Sequence, residues 1–332
     1  MARVLVLGGG GFLGFHVVDA AVRDGHEVTV LSRSGRAPRD GVEVLTGDRQ
    51  GDLDALRGGR WDAVVDTFTD TDPGAPAVRR TAELLSGSAG LYCYVSGMSV
   101  YAPDGPQVPD ESAPVRRAGV EPDDDPLQER SLAKLAAEDA VHDVFDGPVL
   151  VPRVGIMVGP RDPSQRFSWW PMRCYRALTG AAPDTVPAPG APDRSVQYSD
   201  TRDIAAWMVT MATQQHAGTF NTVGPLRADP LRDVLQQCLD AARDVAGPRA
   251  VRNDVRWRWL TDEDALRGAL RDVDEEGRPL WYPEDQIPQR AIDSAAAHRA
   301  GLRFRPAGQT ARETLTWLLQ QDQQPLASFD EP

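Results

Sequence analysis

The chain has 332 residues, 49 of them acidic and 36 basic, which gives a net charge of −13 at pH 7. This length can bury a full hydrophobic core, whereas this charge would be repelled by a nucleic-acid duplex or an anionic membrane. The sequence holds no run of 18 apolar residues, and its three cysteines, Cys93, Cys174 and Cys238, are too widely spaced for a disulfide framework or zinc site. We therefore expect a cytoplasmic protein that binds neither nucleic acid nor membranes.

The first 155 residues alternate short apolar segments with helical patterns. Buried strands are predicted at 3–8, 27–32, 42–48, 61–68, 91–97 and 147–155, and helices at 12–25, 52–58, 75–87 and 126–145. The strands are apolar almost throughout, which is typical of a parallel sheet covered on both faces. The alternation therefore predicts an α/β fold, a Rossmann doubly wound parallel sheet.

A loop interrupts the pattern at 102–126, and beyond residue 155 the patterns are weaker. A stretch rich in Pro, Asp and Gly at 102–126 predicts an exposed loop, and helices are predicted near 201–213, 229–246, 262–271 and 309–320. Thr310 and Glu313 have the spacing of a capping box at the start of the last helix. We expect residues 1–158, completed by about 195–225, to form the Rossmann domain, and residues 159–194 and 226–332 to form a smaller C-terminal α/β domain that binds the substrate.

The strongest motif is the segment LVLGGGGFLG at 5–14, between the first predicted strand and the first predicted helix. A dinucleotide pyrophosphate binds close to backbone N–H groups at a helix N-terminus, and glycines remove the side chains that would block it. The run contains G-x-G-x-x-G at Gly9, Gly11 and Gly14, and also G-x-x-G-x-x-G starting at Gly8. Its spacing therefore predicts a dinucleotide site without choosing between subtypes, and a glycine turn without a ligand is the alternative.

The end of the second predicted strand indicates which dinucleotide binds. NAD sites usually carry an acidic residue there, which bonds the ribose hydroxyls of adenosine. This sequence has Ser32, Arg33, Ser34 and Arg36 instead, with no Asp or Glu. Arg33 could hold a 2′-phosphate, so the segment favours NADP (NADPH) over NAD, with an ordinary solvated loop as the alternative.

Lys134 is the only lysine among the 36 basic residues. Its ammonium group is compact and stands on a flexible stem, whereas a guanidinium group is planar. One lysine in a chain that otherwise uses arginine raises the question of a functional role, and the alternative is chance in a biased composition.

Several segments together resemble the extended short-chain dehydrogenase/reductase family, which includes the NAD-dependent epimerases and dehydratases. The resemblance covers nearly the whole chain. The similar segments are GGGGFLG (8–14), GDR (47–49), DTF (66–68), YVSGMSVYA (94–102) and PRVGIMVGP (152–160). VQYSDTRDIAAW (196–207) and GLRFRP (301–306) are similar to an actinobacterial, reductase-like branch.

The resemblance implies a Ser/Thr–Tyr–Lys site in which the last two residues have the spacing Y-x-x-x-K. The tyrosine protonates the oxygen of the reduced carbon, and the lysine holds the ribose and lowers the tyrosine pKa. Lys134 matches the lysine, but Arg130 stands at the tyrosine position and Gly97 at the serine position. No Y-x-x-x-K exists elsewhere in the sequence, so two of the three catalytic side chains are expected to be missing.

The resemblance also assigns candidate site residues. The catalytic candidates are Lys134, Arg130, Ser96, Ser99 and Tyr101. The cofactor candidates are Gly8, Gly11, Phe12, Leu13, Gly14, Ser32, Arg33, Arg36, Asp48 (as the adenine contact), Arg49, Thr67, Phe68, Ser96, Lys134, Arg153 (near the carboxamide), Gly155 and Ile156. The substrate candidates are Met98, Asp162, Arg166, Trp169, Trp170, Tyr198 and Trp281. Apart from Lys134, the catalytic candidates and the substrate candidates suit structural roles equally well. The five histidines have no metal-ligand spacing, so no metal is expected.

Two classes of function follow. The first is an NADPH-dependent reductase of a natural-product-like small molecule whose reduction needs no enzyme tyrosine, such as a carbinolamine or iminium carbon, or a ketone beside its own phenol. Arg130 would repel a cationic intermediate unless a carboxylate such as Asp162 offsets its charge. The second is an NADP-binding sensor or regulator without catalysis. A sugar-nucleotide epimerase or dehydratase is a further alternative, and a homodimer is possible.

Overall fold

The computed structural model describes residues 1–69, 74–119, 127–268, 279–284 and 291–321. Its strands are β1 (Arg3–Leu7), β2 (Glu27–Ser32), β3 (Glu43–Thr46), β4 (Ala63–Asp66), β5 (Tyr92–Tyr94), β6 (Ser96–Gly97), β7 (Val149–Val154), β8 (Met157–Val158), β9 (Thr185–Pro189), β10 (Ser195–Val196), β11 (Ser199–Asp200), β12 (Gly218–Thr222), β13 (Asp229–Pro230) and β14 (Arg256–Leu260). Its α-helices are α1 (Phe12–Arg23), α2 (Gly74–Leu85), α3 (Gln128–Val144), α4 (Trp169–Leu178), α5 (Thr201–Thr213), α6 (Leu231–Ala246), α7 (Asp262–Arg267), α8 (Ala295–Arg299) and α9 (Ala307–Gln320).

The chain divides into two compact units. Unit 1 comprises residues 1–155, 201–223 and 292–303, and unit 2 comprises residues 156–200, 224–291 and 304–332. Each unit is therefore built from segments that are distant in the sequence.

The centre of unit 1 is a parallel sheet with the strand order β12-β7-β5-β4-β1-β2-β3, and β6 also pairs with β7. The chain runs outward from β1 through β2 to β3, and it returns to β4 on the other side of β1. The strand order therefore reverses between β1 and β4, which is where doubly wound sheets bind their ligands. The predicted fold class, a Rossmann doubly wound parallel sheet in an α/β protein, is confirmed.

Helices cover this sheet in two layers, because α1 packs on α5 and α2 packs on α3. The central strand β1 is buried from Val4 to Leu7, with no side chain more than 1% exposed. Burying such a side chain stabilises the fold by about 1.5–3 kcal/mol. The apolar, non-alternating strands of the sequence thus form the core between the two layers.

Unit 2 combines a helical group with short strand pairs. Helix α6 packs on both α4 and α9, β9 pairs with β14 and β8 pairs with β11 in parallel, and β10 pairs antiparallel with β13. The core of the unit contains Phe167, Trp170, Leu235 and Trp281, all buried. Within the described residues, no helix combines the length and the apolar character needed to cross a membrane.

The last helix differs from its prediction. It begins at Ala307, directly after Pro306, so Thr310 lies inside the helix and the capping-box prediction is wrong. The hydroxyl of Thr310 is buried and donates to Asp200 Oδ2 at 2.8 Å, and Glu313 accepts from Arg305 at 3.0 Å. Tertiary partners thus outcompeted the local capping pattern.

Two other helical predictions were too long. The segment 52–58 forms only a short 3-10 helix at 54–56, because glycines follow it closely at 58 and 59. The helix predicted at 262–271 ends at Arg267, and its predicted last three residues lie outside the described ranges.

Candidate functional site

The glycine segment forms a tight loop between β1 and α1. Gly8 has φ +91°, a conformation that favours glycine, and a Cβ on Gly14 would lie 2.1 Å from the Gly8 carbonyl oxygen. A Cβ on Gly10, in contrast, would meet nothing within 4 Å. Gly11 precedes the first residue of α1 without a side-chain cap, so the first N–H groups of the helix have no acceptor within the helix itself. The loop is therefore tightly packed at Gly14 and open at Gly10, and an anion site needs such an open side.

The two strand ends at the point of reversal are joined by hydrogen bonds. The backbone N–H and the hydroxyl of Thr67 donate to the carbonyl of Leu7 at 3.1 and 3.0 Å. Because all strands of this sheet are parallel, their carboxyl ends share one edge. The predicted cofactor residues at or after these ends are Gly8, Gly11, Phe12, Leu13, Gly14, Ser32, Arg33, Arg36, Asp48, Arg49, Thr67, Phe68, Ser96, Arg153 and Gly155. The fold thus brings the predicted cofactor residues of unit 1 to one edge, whereas Ile156 lies in unit 2.

The end of β2 offers an exposed cationic loop. Ser32 Oγ lies 3.1 Å from Ser34 Oγ, which also accepts from the backbone N–H of Arg36 at 3.4 Å. The side chains of Arg33 and Arg36 are exposed to solvent. Both arginines are therefore accessible at the sheet edge where the glycine loop lies.

In the GDR segment after β3, Asp48 and Arg49 have different structural roles. The N–H of Asp48 donates to the carbonyl of Asp52 at 2.8 Å, which shapes the turn. Arg49 instead points into the protein, and its guanidinium donates to the two carboxylate oxygens of Asp66 at 2.5 and 2.6 Å. Burial alone would raise the pKa of Asp66, but the charge and hydrogen bonds of Arg49 hold it below the ordinary value. Sequence reasoning proposed Arg49 as a cofactor contact and missed this ion pair, although an aspartate ending an apolar strand signals a buried partner.

Lys134 is buried on α3 and faces the carboxyl ends of β4 and β5. Its ammonium group donates to the carbonyls of Phe68 at 2.7 Å and Val95 at 2.9 Å, and it lies 5.1 Å from the centre of the Tyr94 ring. Burial lowers its pKa to about 8. Arg130, one turn earlier on the same helix, is exposed and lowers the Lys134 pKa further by its charge. The lysine is thus held inside unit 1, whereas the residue at the family's tyrosine position faces solvent.

Strand β6, next to the lysine, consists of the candidate Ser96 and of Gly97, which stands at the predicted serine position. Ser96 Oγ is buried and has no hydrogen-bond partner in the part of the chain that the structure describes. A Cβ on Gly97 would contact only Val154 O at 3.7 Å and Ser99 Oγ at 4.0 Å. A small side chain would therefore fit where this sequence has glycine.

Tyr101 and Arg153 belong to a buried network in unit 1. The Tyr101 hydroxyl donates to Asn221 Oδ1 at 2.6 Å and accepts from Arg153 Nη1 at 3.2 Å. Arg153 also donates to both carboxylate oxygens of Glu138, at 3.2 and 2.7 Å. Burial raises the pKa of Tyr101. Sequence reasoning offered Tyr101 as a catalytic group and Arg153 as a carboxamide contact, but the structure commits both polar groups to internal partners that no local pattern marked.

Six of the seven predicted substrate residues lie in unit 2, and Met98 lies in unit 1. Trp169, Trp170, Tyr198 and Trp281 are core residues there, each at most 6% exposed. Trp170 Nε1 donates to the carbonyl of Leu280 at 3.2 Å. These side chains have a packing role in the structure, and their contact with a substrate stays a prediction.

The loop before α4 holds the two charged substrate candidates. Asp162 is buried, and its Oδ1 accepts from the N–H and hydroxyl of Ser164 at 2.9 and 2.7 Å. Burial raises the pKa of Asp162. The Arg166 guanidinium lies 5.6 Å from the centre of the Tyr282 ring. This loop therefore carries a carboxylate and a guanidinium in a largely apolar setting.

Among the described residues, no group of three or more His, Cys, Asp or Glu side chains could hold a metal ion. Cys93, Cys174 and Cys238 are all buried and free. Unit 1 presents an open glycine loop at a helix N-terminus, with Lys134 and the Ser96 hydroxyl near neighbouring strand ends. This arrangement could hold a dinucleotide.

The fold is a Rossmann doubly wound sheet, in a chain that also contains a second unit. Residues 4–75, which include the glycine loop and the end of β4, match the model of the NAD dependent epimerase/dehydratase family. No curated protein matches the chain.

Solved structures of this architecture resemble the whole chain. The UDP-Glc/GlcNAc 4-epimerase from Campylobacter jejuni is 13% identical over 96% of this chain and 100% of its own, with a TM-score of 0.63. The UDP-glucuronic acid 4-epimerase from Bacillus cereus, in complex with NAD, is 15% identical over 96% of each chain, with a TM-score of 0.61. TunA, an NAD-dependent NDP-hexosamine 5,6-dehydratase of tunicamycin biosynthesis, is 18% identical over 98% of this chain and 99% of its own, with a TM-score of 0.62. At these identities the likeness establishes the fold.

Proposed function

We propose that this chain is a nicotinamide-dinucleotide-dependent enzyme that transfers hydride to a small molecule without a phenolic acid of its own. One observation carries the proposal. Lys134 is buried at the carboxyl ends of β4 and β5, while exposed Arg130 stands four residues before it and the Tyr101 hydroxyl donates to Asn221. These contacts support a role for Lys134 in holding the cofactor and the lack of a phenolic proton donor.

The residues of unit 1 suggest how the cofactor is held. The N–H groups at the start of α1 would hold the pyrophosphate, and a Cβ on Gly10 would meet nothing within 4 Å, so the loop leaves space for it. Arg33 and Arg36 bind a 2′-phosphate, which makes NADPH the preferred cofactor. Lys134, already bonded to two carbonyls, directs its third N–H bond to the ribose. When bound, NADPH supplies the hydride.

The absence of a proton donor restricts the substrate. Reduction of an ordinary ketone creates an alkoxide that must be protonated, and a general acid contributes about 10²–10⁴-fold to such a step. A carbinolamine first loses its hydroxyl group as water, and hydride addition to the resulting iminium carbon neutralises a cation and creates no such charge. A ketone beside a phenol carries its own donor. We therefore propose a carbinolamine or iminium carbon of a polycyclic natural product, with a phenol-assisted aryl ketone as the next choice.

A sugar-nucleotide epimerase or dehydratase is the second candidate. It is supported by the family match over residues 4–75 and by the activities named for the solved structures of the same fold. Such a reaction begins with the oxidation of an alcohol, for which a base must take the hydroxyl proton. Lys134, with a pKa of about 8, could be that base only in its neutral form. A cofactor-binding sensor without catalysis is the third possibility.

Cofactor consumption with NADPH deuterated at the transferred position distinguishes the three. The panel contains simple ketones, UDP-sugars, aryl ketones with neighbouring phenols, and carbinolamines. Deuterium on a carbinolamine or phenol-assisted ketone carbon supports the first proposal. Conversion of a UDP-sugar in a parallel reaction supplied with NAD⁺, which accepts the hydride in the first oxidation, supports the second, and tight NADPH binding without any transfer supports the sensor.

A further inference from the structure

We propose that the buried ion pair between Arg49 and Asp66 is a positioning device that acts on Lys134 through Phe68. This inference rests on the proposed role of Lys134 in holding the cofactor. It adds two residues, distant from Lys134 in sequence, that determine where the ammonium group lies and how readily it ionises.

The ion pair itself is deeply enclosed. Asp66, the last residue of β4, is 0% exposed, and Arg49 donates to both of its carboxylate oxygens. The Tyr92 hydroxyl donates to Asp66 Oδ2 at 2.6 Å. Two parallel N–H bonds fix a guanidinium in orientation as well as in position. The loop after β3 is therefore fastened to the end of β4.

Phe68 joins this ion pair to the lysine by three separate contacts. Its backbone N–H donates to Asp66 Oδ1 at 3.0 Å, and its ring lies 4.5 Å from the Arg49 guanidinium carbon. Its carbonyl accepts from Lys134 Nζ at 2.7 Å. A shift of Asp66 or Arg49 would thus move the carbonyl to which the lysine is bonded. The positions of the loop after β3 and of Lys134 are coupled at one residue.

The same ion pair sets the charge around Lys134. Asp66 raises the lysine pKa and Arg49 lowers it, so their effects largely oppose each other. On its own helix α3, Lys134 also faces Arg130, which lowers its pKa, and Glu138, which raises it. From β5 it faces the ring of Tyr94. Removing the Asp66 charge should therefore lower the pKa of Lys134, and removing the Arg49 charge should raise it.

Because Lys134 is the only lysine in the chain, ¹³C-lysine labelling of the full-length protein gives a single side-chain Cε signal. Its pH titration by NMR reports the pKa of this residue without any cofactor. We expect the midpoint to rise by about one pH unit in Arg49→Met and to fall by about one pH unit in Asp66→Asn. The rise in Arg49→Met requires that Asp66 stays ionised: burial alone would raise the pKa of its carboxyl group, and the remaining donors to it are the Tyr92 hydroxyl and the N–H of Phe68.

A double variant keeps the test valid if a single variant fails to fold, because replacing both charges avoids an unpaired buried ion. Arg49→Met/Asp66→Asn should titrate between Asp66→Asn and wild type, because Asp66 affects the Lys134 pKa more than Arg49 does. Arg79→Met is the matched control, since Arg79 forms an exposed ion pair with Asp143 of the same helix α3 at 2.7 Å, and its midpoint should not move.

Three results would overturn the proposal: unchanged midpoints in both single variants, a shift of both toward the ordinary lysine value, or a double variant that titrates like free lysine. A shift of both in the same direction would mean that the ion pair only keeps the core closed. A separate titration with NADPH tests the proposed function. Failure of the wild type to bind NADPH, with the opposite NMR shifts intact, would refute that function and leave the coupling standing.

Discussion

The ammonium nitrogen of Lys134 lies 2.7 Å from the carbonyl oxygen of Phe68, the second residue beyond β4. A buried ammonium group is unfavourable unless its donors find partners, and here two main-chain carbonyls accept from it. The fold therefore holds a charged side chain in a place where its ionisation is opposed by burial. This arrangement is typical of a functional position, because it costs stability.

The first prediction concerns that cost. Burial lowers the Lys134 pKa from the ordinary lysine value to about 8, a difference equivalent to roughly 3 kcal/mol. Lys134→Met removes this cost but also loses two hydrogen bonds. The net effect should be a free energy of unfolding that is higher by about 1–3 kcal/mol at pH 7. It should also weaken NADPH binding.

The gain should have a defined pH dependence. Below pH 8 both folded and unfolded wild type hold the proton, so the full cost is present. Above pH 8 the folded state releases the proton before the unfolded state does, so wild-type stability rises and the advantage of the variant shrinks. Urea unfolding at pH 7 and pH 10 measures both effects, with Arg79→Met, at an exposed arginine paired with Asp143, as the control. A variant less stable than wild type at both pH values would contradict the prediction.

The second prediction separates two glycines of one loop. Gly14→Ala would place a Cβ 2.1 Å from the Gly8 carbonyl oxygen, so we expect a loss of roughly 3 kcal/mol or more in stability and of cofactor binding. Gly10→Ala meets no atom within 4 Å and should fold normally. If the pyrophosphate lies above Gly10, this alanine weakens NADPH binding alone. Thermal unfolding and cofactor titration of both variants decide the matter, and equal stability of the two would show that the loop geometry is different.

The third prediction concerns the choice of dinucleotide. Arg33→Ala should weaken NADPH binding by about tenfold or more while leaving NADH binding unchanged, because a charge-assisted bond to the 2′-phosphate is lost. Fluorescence titration with both cofactors measures this. Arg57→Ala, at an exposed arginine paired with Asp54, is the control. Equal wild-type affinities for NADPH and NADH would remove the case for NADP.

The fourth prediction tests whether Tyr101 is structural. Tyr101→Phe removes its bonds with Asn221 and Arg153 and should lower stability by about 1–3 kcal/mol. Turnover of the substrate identified in the deuterium experiment should change less than threefold. A fall of about 10²-fold or more in turnover, with cofactor affinity intact, would instead identify this hydroxyl as the acid.

The fifth prediction restores the family's residues. Gly97→Ser fits the space beside Val154 and Ser99, and Arg130→Tyr changes an exposed position. The double variant should fold, and it should not raise the rate with the native substrate if that chemistry needs no phenol. A gain of 10²-fold or more would show that the wild type is a weakened conventional reductase. Each single variant serves as a control for the other.

Much of unit 1 could be predicted from the sequence alone. Apolar strands alternating with helices, and a glycine run between the first strand and helix, determine a doubly wound sheet with a loop at its edge. Gly8 and Gly14 were identified because the requirement for glycine is local, arising from backbone conformation and close approach. Lys134 was singled out because it is unique in the composition, and its functional role stays a prediction.

Tertiary structure decided which polar groups remain available at that edge. Arg49 follows Asp48 in the sequence, yet its guanidinium is bound by Asp66, and Tyr101 is bound by Asn221, 120 residues further along the chain. Such pairings join residues from different segments of the chain, and no local pattern encodes them. A buried donor or acceptor must find a partner wherever the fold brings one near, because leaving it unpaired costs about 1–3 kcal/mol. The sequence by itself thus determined the sheet, the loop and the lysine, whereas packing determined which neighbouring side chains are locked in the core.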